Sequence, residues 1–366
     1  PAPVGSPAVP APPTAPAPPA PAPADNGPAA GNPSGACAVP AAGQLRGIAT
    51  PASVVGNGTP ASCTSAAVVA AVANGGVVTF NCGADPVTIT MSATARIFNN
   101  KPDLVLDGGG KVTLSGGGAR RILYQNTCDP ALVWMSTRCD LDDAPKTTLQ
   151  NITLADGNSS GQTYGIDNVY GGGAVFARGG RLSIINSRFL RNRCEASGPD
   201  IGGGAVRVRD MSAASPVHVA GSTFGGAAGQ GNECSNGGGL SGLAASYAVS
   251  NSVFTHNRAV GYGQNPAIAG TPGGGLGGAI YMDGNRMDLT TCGTVMNNNL
   301  ANEGGSAIFY VSNDRSGTIS ITDSQITSNP KGARPTAFDD ESLGRPGLFV
   351  LAAPGQPVIR NSTISR

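Results

Sequence analysis

Past residue 150, apolar and polar positions alternate in short runs, and the runs recur. Arg181-Leu182-Ser183-Ile184-Ile185-Asn186 and Gly317-Thr318-Ile319-Ser320-Ile321-Thr322 show the period of two expected of a half-buried strand. Helical spacing is nearly absent from this region. Gly-rich runs end in a small apolar pair: Gly172-Gly173-Ala174-Val175, Gly203-Gly204-Ala205-Val206 and Gly277-Gly278-Ala279-Ile280. An aromatic or aliphatic residue then comes three positions before an Asn, as in Phe189 with Asn192, Phe254 with Asn257, Val295 with Asn298 and Ile326 with Asn329. The anchors Leu154, Phe189, Phe224, Phe254, Val295, Ile326 and Ile364 are 35, 35, 30, 41, 31 and 38 residues apart. A fixed element with variable inserts predicts a solenoid of stacked short strands.

Small polar pairs precede five anchors: Asn186-Ser187, Gly221-Ser222, Asn251-Ser252, Asp323-Ser324 and Asn361-Ser362. Stacking places these pairs above one another, with Asn side chains bonding along the stack. Asn also accepts the left-handed conformation of a sharp corner. The Gly runs serve a second corner, where a Cβ is excluded.

Before the coils, Thr64–Ala73 predicts a short helix, capped by Thr64 or Ser62 and stopped by Asn74-Gly75-Gly76. The strand Val77-Val78-Thr79-Phe80 follows. A helix over the first coil keeps that edge from pairing with another chain. The division expected is a Pro/Ala-rich linker or docking tail at 1–35, an N-terminal cap at 36–82 and a β-helix at 83–366. Loop excursions are expected at 118–147 and 330–356. The first holds Trp134 and reads as a structural excursion or a binding loop. Residues 357–364 begin another coil with no helix after it. A longer parent chain, a covering partner or end-to-end stacking of copies would each satisfy that edge.

Composition narrows the class. Gly 55 and Pro 29 are high in a chain of 366 residues, and only 12% of residues are charged. Residues 1–35 are almost all Pro, Ala, Gly and Ser, which favours extended polyproline II and buries no core. A net charge of +1 gives no case for nucleic acid or an anionic membrane. No apolar run approaches the ~18 residues of a membrane span. Eight cysteines point to disulfides and an oxidising compartment, hence a secreted or cell-surface protein. The Pro at position 1 suits a mature chain after signal-peptide removal. Cys63 and Cys82 flank the cap and are expected to pair. Cys128 and Cys139 close the first excursion, and Cys194 and Cys234 fall on the same side of neighbouring coils. Cys37 and Cys292 pair by elimination.

The Gly-Gly-Ala-[Ile/Val] and Phe-x-x-Asn repeats over residues 150–330 resemble the passenger domains of polymorphic outer-membrane proteins. The opening, through Asp107-Gly108-Gly109-Gly110 and Val112-Thr113-Leu114, looks like the start of secreted pectin-lyase-like proteins. These resemblances imply an all-β fold, a right-handed parallel β-helix. The first implies a surface adhesin; the second brings polysaccharide chemistry into question without assigning an active site.

Candidate chemistry is sparse. A glycosidase needs two carboxylates on one sugar, and a lyase needs a base and a cation beside a uronate. Asp142-Asp143 and Asp339-Asp340-Glu341 read as turn or rim acids, and His218 and His256 as packed or surface histidines. No zinc or calcium motif is present, so neither a metal nor another cofactor is expected. Arg207 and Arg209 share one strand face, read as solvated. With Arg188, Arg191 and Arg193 on the preceding coil, they offer a small basic patch for an acidic glycan. Exposed aromatics at Trp134, Tyr164 and Tyr170 would instead mark a glycan-binding module. The leading expectation is a non-catalytic extracellular or surface protein, structural or adhesive, self-assembling end to end. The alternative is a polysaccharide lyase or glycoside hydrolase. A groove with converging carboxylate and basic side chains separates the two.

Overall fold

The computed structural model describes residues 27–162, 169–211, 215–330, 332, 334 and 344–366. Its strands form four sheets in which strand pairs are parallel. Ten strands, from Ser53–Val55 to Val358–Arg360, make one face. Nine, from Val87–Thr90 to Thr363–Ile364, make a second, and eight, from Ala95–Ile97 to Leu348–Leu351, a third. Three two-residue strands form a small fourth sheet. One coil reads Val175–Arg178, Arg181–Ile185, Arg188–Leu190, and the next Val206–Arg209, Val217–Ala220, Thr223–Gly225. Each coil thus visits the three large faces in turn, as a parallel β-helix does.

The core is a column of inward residues held in register. Phe189, Phe224 and Phe254 are fully buried and stack with centroids 4.7 Å apart, the spacing of adjacent strands. Leu154 precedes them in the row, and Met296, Ile326 and Ile364 continue it. The fifth anchor is therefore Met296 and not Val295, which pairs with Val253 beside the column. Three consecutive asparagines, Asn297 to Asn299, allow either register in sequence, and core packing selects one.

The same shift governs the asparagine stack. Asn192, Asn232, Asn257, Asn299 and Asn329 lie one above another, each Nδ2 donating to the next Oδ1 at 2.8–3.0 Å. The rung on the Phe224 coil is Asn232, displaced from the three-residue spacing by five extra residues. At the other corner the hydroxyls stack. The Ser187 N–H donates to Ser222 Oγ and the Ser222 N–H to Ser252 Oγ. The residue before each serine supplies the left-handed turn, with φ of 47° at Asn186, 50° at Asn251 and 48° at Asp323.

Ser65–Asn74 is a helix whose Thr64 side chain accepts from the Ala67 N–H. It packs Val68, Ala71 and Val72 into the core at the first coils. Both expected excursions are shorter than the sequence implies. Leu123–Asn126 and Lys146–Gln150 are coil strands, so the first projects only over 127–145. Leu348–Leu351 likewise pairs with Ile308–Ser312. All three strands lie beside charged or Pro-containing stretches that mask their alternation.

The described part of the tail is a strap. The Gly31 N–H donates to Thr223 Oγ1 at 2.8 Å, the Asn32 N–H to the Asn251 carbonyl at 2.8 Å, and the Arg46 N–H to Gln150 Oε1 at 2.8 Å. Residues 27–46 thus run across successive coils of their own chain. Residues 1–26 lie outside the described residues. The disulfides join Cys37 to Cys292, the pair expected by elimination, and Cys63 to Cys82, Cys128 to Cys139 and Cys194 to Cys234, the pairs expected from position. Cys37–Cys292 spans a separation of 255 residues and pins the strap to the helix. Cross-linking so long a loop removes much chain entropy from the unfolded state, about 5.5 kcal/mol by loop-closure arithmetic. The double variant Cys37→Ser/Cys292→Ser should lose most of that stability in urea unfolding under non-reducing conditions. An unchanged midpoint would show the strap adds nothing.

Candidate functional site

The eight-stranded face carries the chemistry. Its inward residues include Val206, Val208, Ile280, Met282, Ile308 and Tyr310, all buried in the main core. Alternation turns the intervening side chains outward. Parallel register then lines them up in two rows along the helix. One row reads Tyr124, Phe176, Arg207, Ser241, Tyr281, Phe309, Phe349. The other reads Asn126, Arg178, Arg209, Leu243, Asp283, Val311, Leu351.

Toward the C-terminal coils these rows floor a groove of about 560 Å³. Leu243, Phe309, Val311 and Leu351 give it an apolar base, and Tyr281 and Phe309 stack at 5.3 Å beneath. The walls come from three loops, which bring Asp200, Asn265 and Asn313 to the rim. Asn265 sits at the centre. Its Nδ2 lies 2.9 Å from Asp200 Oδ1, 2.9 Å from Asp283 Oδ2 and 2.8 Å from the Tyr281 hydroxyl. Tyr281 donates to Asp283 Oδ2 at 3.1 Å, and Asn313 donates to Asp283 Oδ1 at 2.9 Å. Two carboxylates on one amide nitrogen have oxygens no more than about 6 Å apart.

Their environments differ. Asp200 is exposed and Asp283 half-buried. Burial pushes the Asp283 carboxyl above its ordinary range, against the hydrogen bonds from Asn313 and Tyr281, and the Asp200 charge raises it further. Burial also drives the Tyr281 hydroxyl well up, so it stays a donor. A carboxyl whose pKa burial raises, beside a second carboxyl, is the asymmetry from which proton-transfer pairs are built. The basic side chains of this face stand beyond Leu243. Arg209 and Arg178 follow in the Asp283 row, both bridged to Asp210. Arg207 is only 3% exposed, and burial, then the Arg209 charge, pushes it down to about 10.

The residues expected from sequence fall elsewhere or differently. Arg207 is not on a solvated face: the Gly-rich corner at Gly171 and Gly172 packs over it. Arg188 and Arg191 lie on and beside the nine-stranded face, so no single patch joins them to Arg207 and Arg209. Arg188 donates to the Gly27 and Pro28 carbonyls, and Arg191 pairs with Asp156 at 2.8 Å. Asp142 accepts from Ser136 while Asp143 pairs with Lys146 and Arg181, as rim acids should. His256 turns a corner with φ 61°, and His218, its pKa lowered by burial, lies against the strap at Gly43. Trp134 is exposed on the first excursion, and Tyr170 is exposed 36 residues further along; Tyr164 and Asp339-Asp340-Glu341 lie outside the described residues. Cys37, Cys292 and Asp323 cluster, but the sulfurs are already bonded to each other and offer no thiolate.

Sequence reading offered no catalytic residue. Asp200, Asn265 and Asp283 carry no mutual spacing that a motif would reveal. The available signal was Asp283 itself, a carboxylate closing the apolar run Ile280-Tyr281-Met282. No protein-family model, curated protein or solved structure matches this chain.

Proposed function

We propose that this protein is a right-handed β-helix of the pectin-lyase-like kind that hydrolyses a polysaccharide in the groove at Asp200 and Asp283. The observation that carries the reading is the carboxyl pair gathered on Asn265 over an apolar floor. Sugar rings put C–H faces on apolar surface and hydroxyls toward amides and carboxylates, and the groove supplies both. Arg178 and Arg209 stand further along the same face, bridged to Asp210 and outside the groove lining, so the reading rests on the carboxyl pair and not on a basic group. Parallel crossovers are right-handed in nearly all proteins. The four disulfides favour an oxidising compartment outside the cytoplasm.

In this reading Asp283 gives its proton to the glycosidic oxygen as the bond to the anomeric carbon breaks. The Asp200 carboxylate attacks that carbon from the other side. Water, giving its proton back to Asp283, then releases the sugar from Asp200. The nearest oxygens of the pair share one amide nitrogen, which supports the close-carboxyl, two-step route over water-mediated inversion, and the stereochemistry of the product decides between them. The test is a panel of neutral and acidic polysaccharides, scored for new reducing ends and, by NMR, for the first anomer released. Retention of configuration, abolished by Asp200→Asn, is expected. Inversion would make Asp200 a base instead, and an unsaturated product would make the protein a lyase. No cleavage across the panel would return the adhesive reading.

A further inference from the structure

A second cavity, of about 470 Å³, lies on the ten-stranded face beneath the strap, on a different face from the groove at Asp283. Alternation along Lys146–Gln150 and Arg181–Ile185 sends Leu149, Leu182 and Ile184 into the core and turns Lys146, Thr148, Arg181 and Ser183 outward. Parallel register sets them in two rows: Lys146 beside Arg181, and Thr148 beside Ser183 and His218. These rows floor the cavity, and the strap walls it. The Ser183 hydroxyl donates to the Ala42 carbonyl at 2.9 Å, and Gly43 packs against His218. Further along the strap, Gln150 clamps the Arg46 backbone. It accepts from the Arg46 N–H at 2.8 Å and donates to the Arg46 carbonyl at 3.0 Å, which fixes where that side chain enters the lining.

The lining is unevenly charged and incompletely bonded. Arg46, Lys146 and Arg181 bring three permanent cations to a cavity whose one carboxylate among the described residues is Asp143, while the whole chain carries only +1. Lys146 and Arg181 share that carboxylate, with Lys146 Nζ at 3.3 Å. Arg46 reaches only Asp103, at 3.8 Å and with both side chains well exposed, a contact worth little in water. Arg181 Nη2 pairs with Asp143, but Nη1 is buried with no hydrogen-bond partner among the described residues. The Thr148 hydroxyl also has none among them, although the residue is only 4% exposed. Burial lowers the His218 pKa, so near neutral pH its ring is uncharged and suits a hydroxyl better than an anion. Buried donors left unpaired are costly, and an oxyanion answers them with charge-assisted bonds.

We propose that this cavity binds an acidic sugar, held by its uronate carboxylate or sulfate group. Arg46 from the strap and Arg181 from the floor offer forked N–H donors, and Lys146 adds a point charge. Thr148 and His218 stand beside them for ring hydroxyls. The volume falls in the range of small-molecule sites, about 300–1,000 Å³. No Phe, Tyr or Trp among the described residues lines the cavity, so a nucleotide base would find no stacking platform there. The site does not rest on the Asp283 groove: it binds whether or not that groove cleaves.

Titration calorimetry of the full chain tests it, with oligogalacturonate, a sulfated oligosaccharide, a neutral oligosaccharide of equal length and inorganic sulfate as probes. Asp200→Asn is the starting protein, so that the groove consumes no ligand. Should the groove reading fail, that change is a surface substitution and the binding test stands. At least one acidic oligosaccharide should bind about tenfold more tightly than the neutral one and than sulfate, and more weakly as salt rises. Arg181→Met and Arg46→Met should each weaken that binding about tenfold, the loss of one charge-assisted bond, and Arg181→Lys should restore part of it. Arg46 holds the strap through its backbone, so its Met variant keeps the fold even if Arg181→Met disturbs the coil. Unchanged affinity in both Met variants would overturn the placement. Equal binding of the neutral sugar would overturn recognition by charge, and equal binding of sulfate would leave a site for an adventitious ion only. Absence of binding by both acidic oligosaccharides would overturn the proposal outright.

Discussion

Replacing Asp283 by Asn is expected to lower kcat/KM by about 10³-fold, because positioned proton transfer contributes roughly 10²–10⁴. The loss corresponds to about 4 kcal/mol of transition-state stabilisation. Steady-state rates on whichever polysaccharide is cleaved measure it. Loss of rate at unchanged KM separates proton transfer from binding. The pH profile supplies a second check. An acid catalyst must hold its proton, so activity falls as pH rises through the raised pKa of Asp283. Stability carries the matching sign. A carboxyl whose folded pKa lies above its unfolded one contributes most below the unfolded pKa, and that contribution is lost as pH rises through the folded value. The Asn variant, neutral at every pH, should therefore gain stability over the parent near neutrality and not in acid. Exposed Asn313 can turn its amide to meet the new side chain. A variant that is fully active, or one that is less stable than the parent only near neutrality, would remove Asp283 from the acid role.

The second large effect lies in the asparagine stack. Asn299 is fully buried. Its Oδ1 accepts from the Asn257 N–H at 3.1 Å and from Asn257 Nδ2 at 2.9 Å. Its Nδ2 donates to the Phe254 carbonyl at 2.9 Å and to Asn329 Oδ1 at 3.0 Å. Asn299→Ala strips partners from several buried groups at once, each worth about 1–3 kcal/mol when left unpaired, so a loss of roughly 3–5 kcal/mol is expected. Its neighbour Asn298 is exposed, with φ 54° and a single 3.3 Å contact to Asn297. Asn298→Gly keeps the left-handed turn and should stay within about 0.5 kcal/mol of the parent. Urea unfolding of the pair decides the register. Equal losses, or the reverse order, would place the stack on Asn298.

The groove and the stack show different limits of the sequence. Alternation, the Gly corners and the polar pairs determined the stacked parallel strands, because each is set by neighbours within a few residues. The capping helix was legible for the same reason, from Thr64 and Gly75. Cysteine positions gave three of the disulfides, and elimination left Cys37 with Cys292. What the sequence left open was register across inserts. Asn232 joins the stack across five extra residues, and Met296 displaces Val295 by one position, choices that only packing of the filled column makes. The site was less legible still. Asp200, Asn265 and Asp283 come from two loops and a strand, joined by no pattern along the chain. Tertiary structure brings their atoms to one nitrogen and half-buries one carboxyl, and so gives two identical side chains different environments. Local sequence determines which strands form and which way their side chains point. Loop crossings and burial, which depend on the whole stack, decide what those side chains can do.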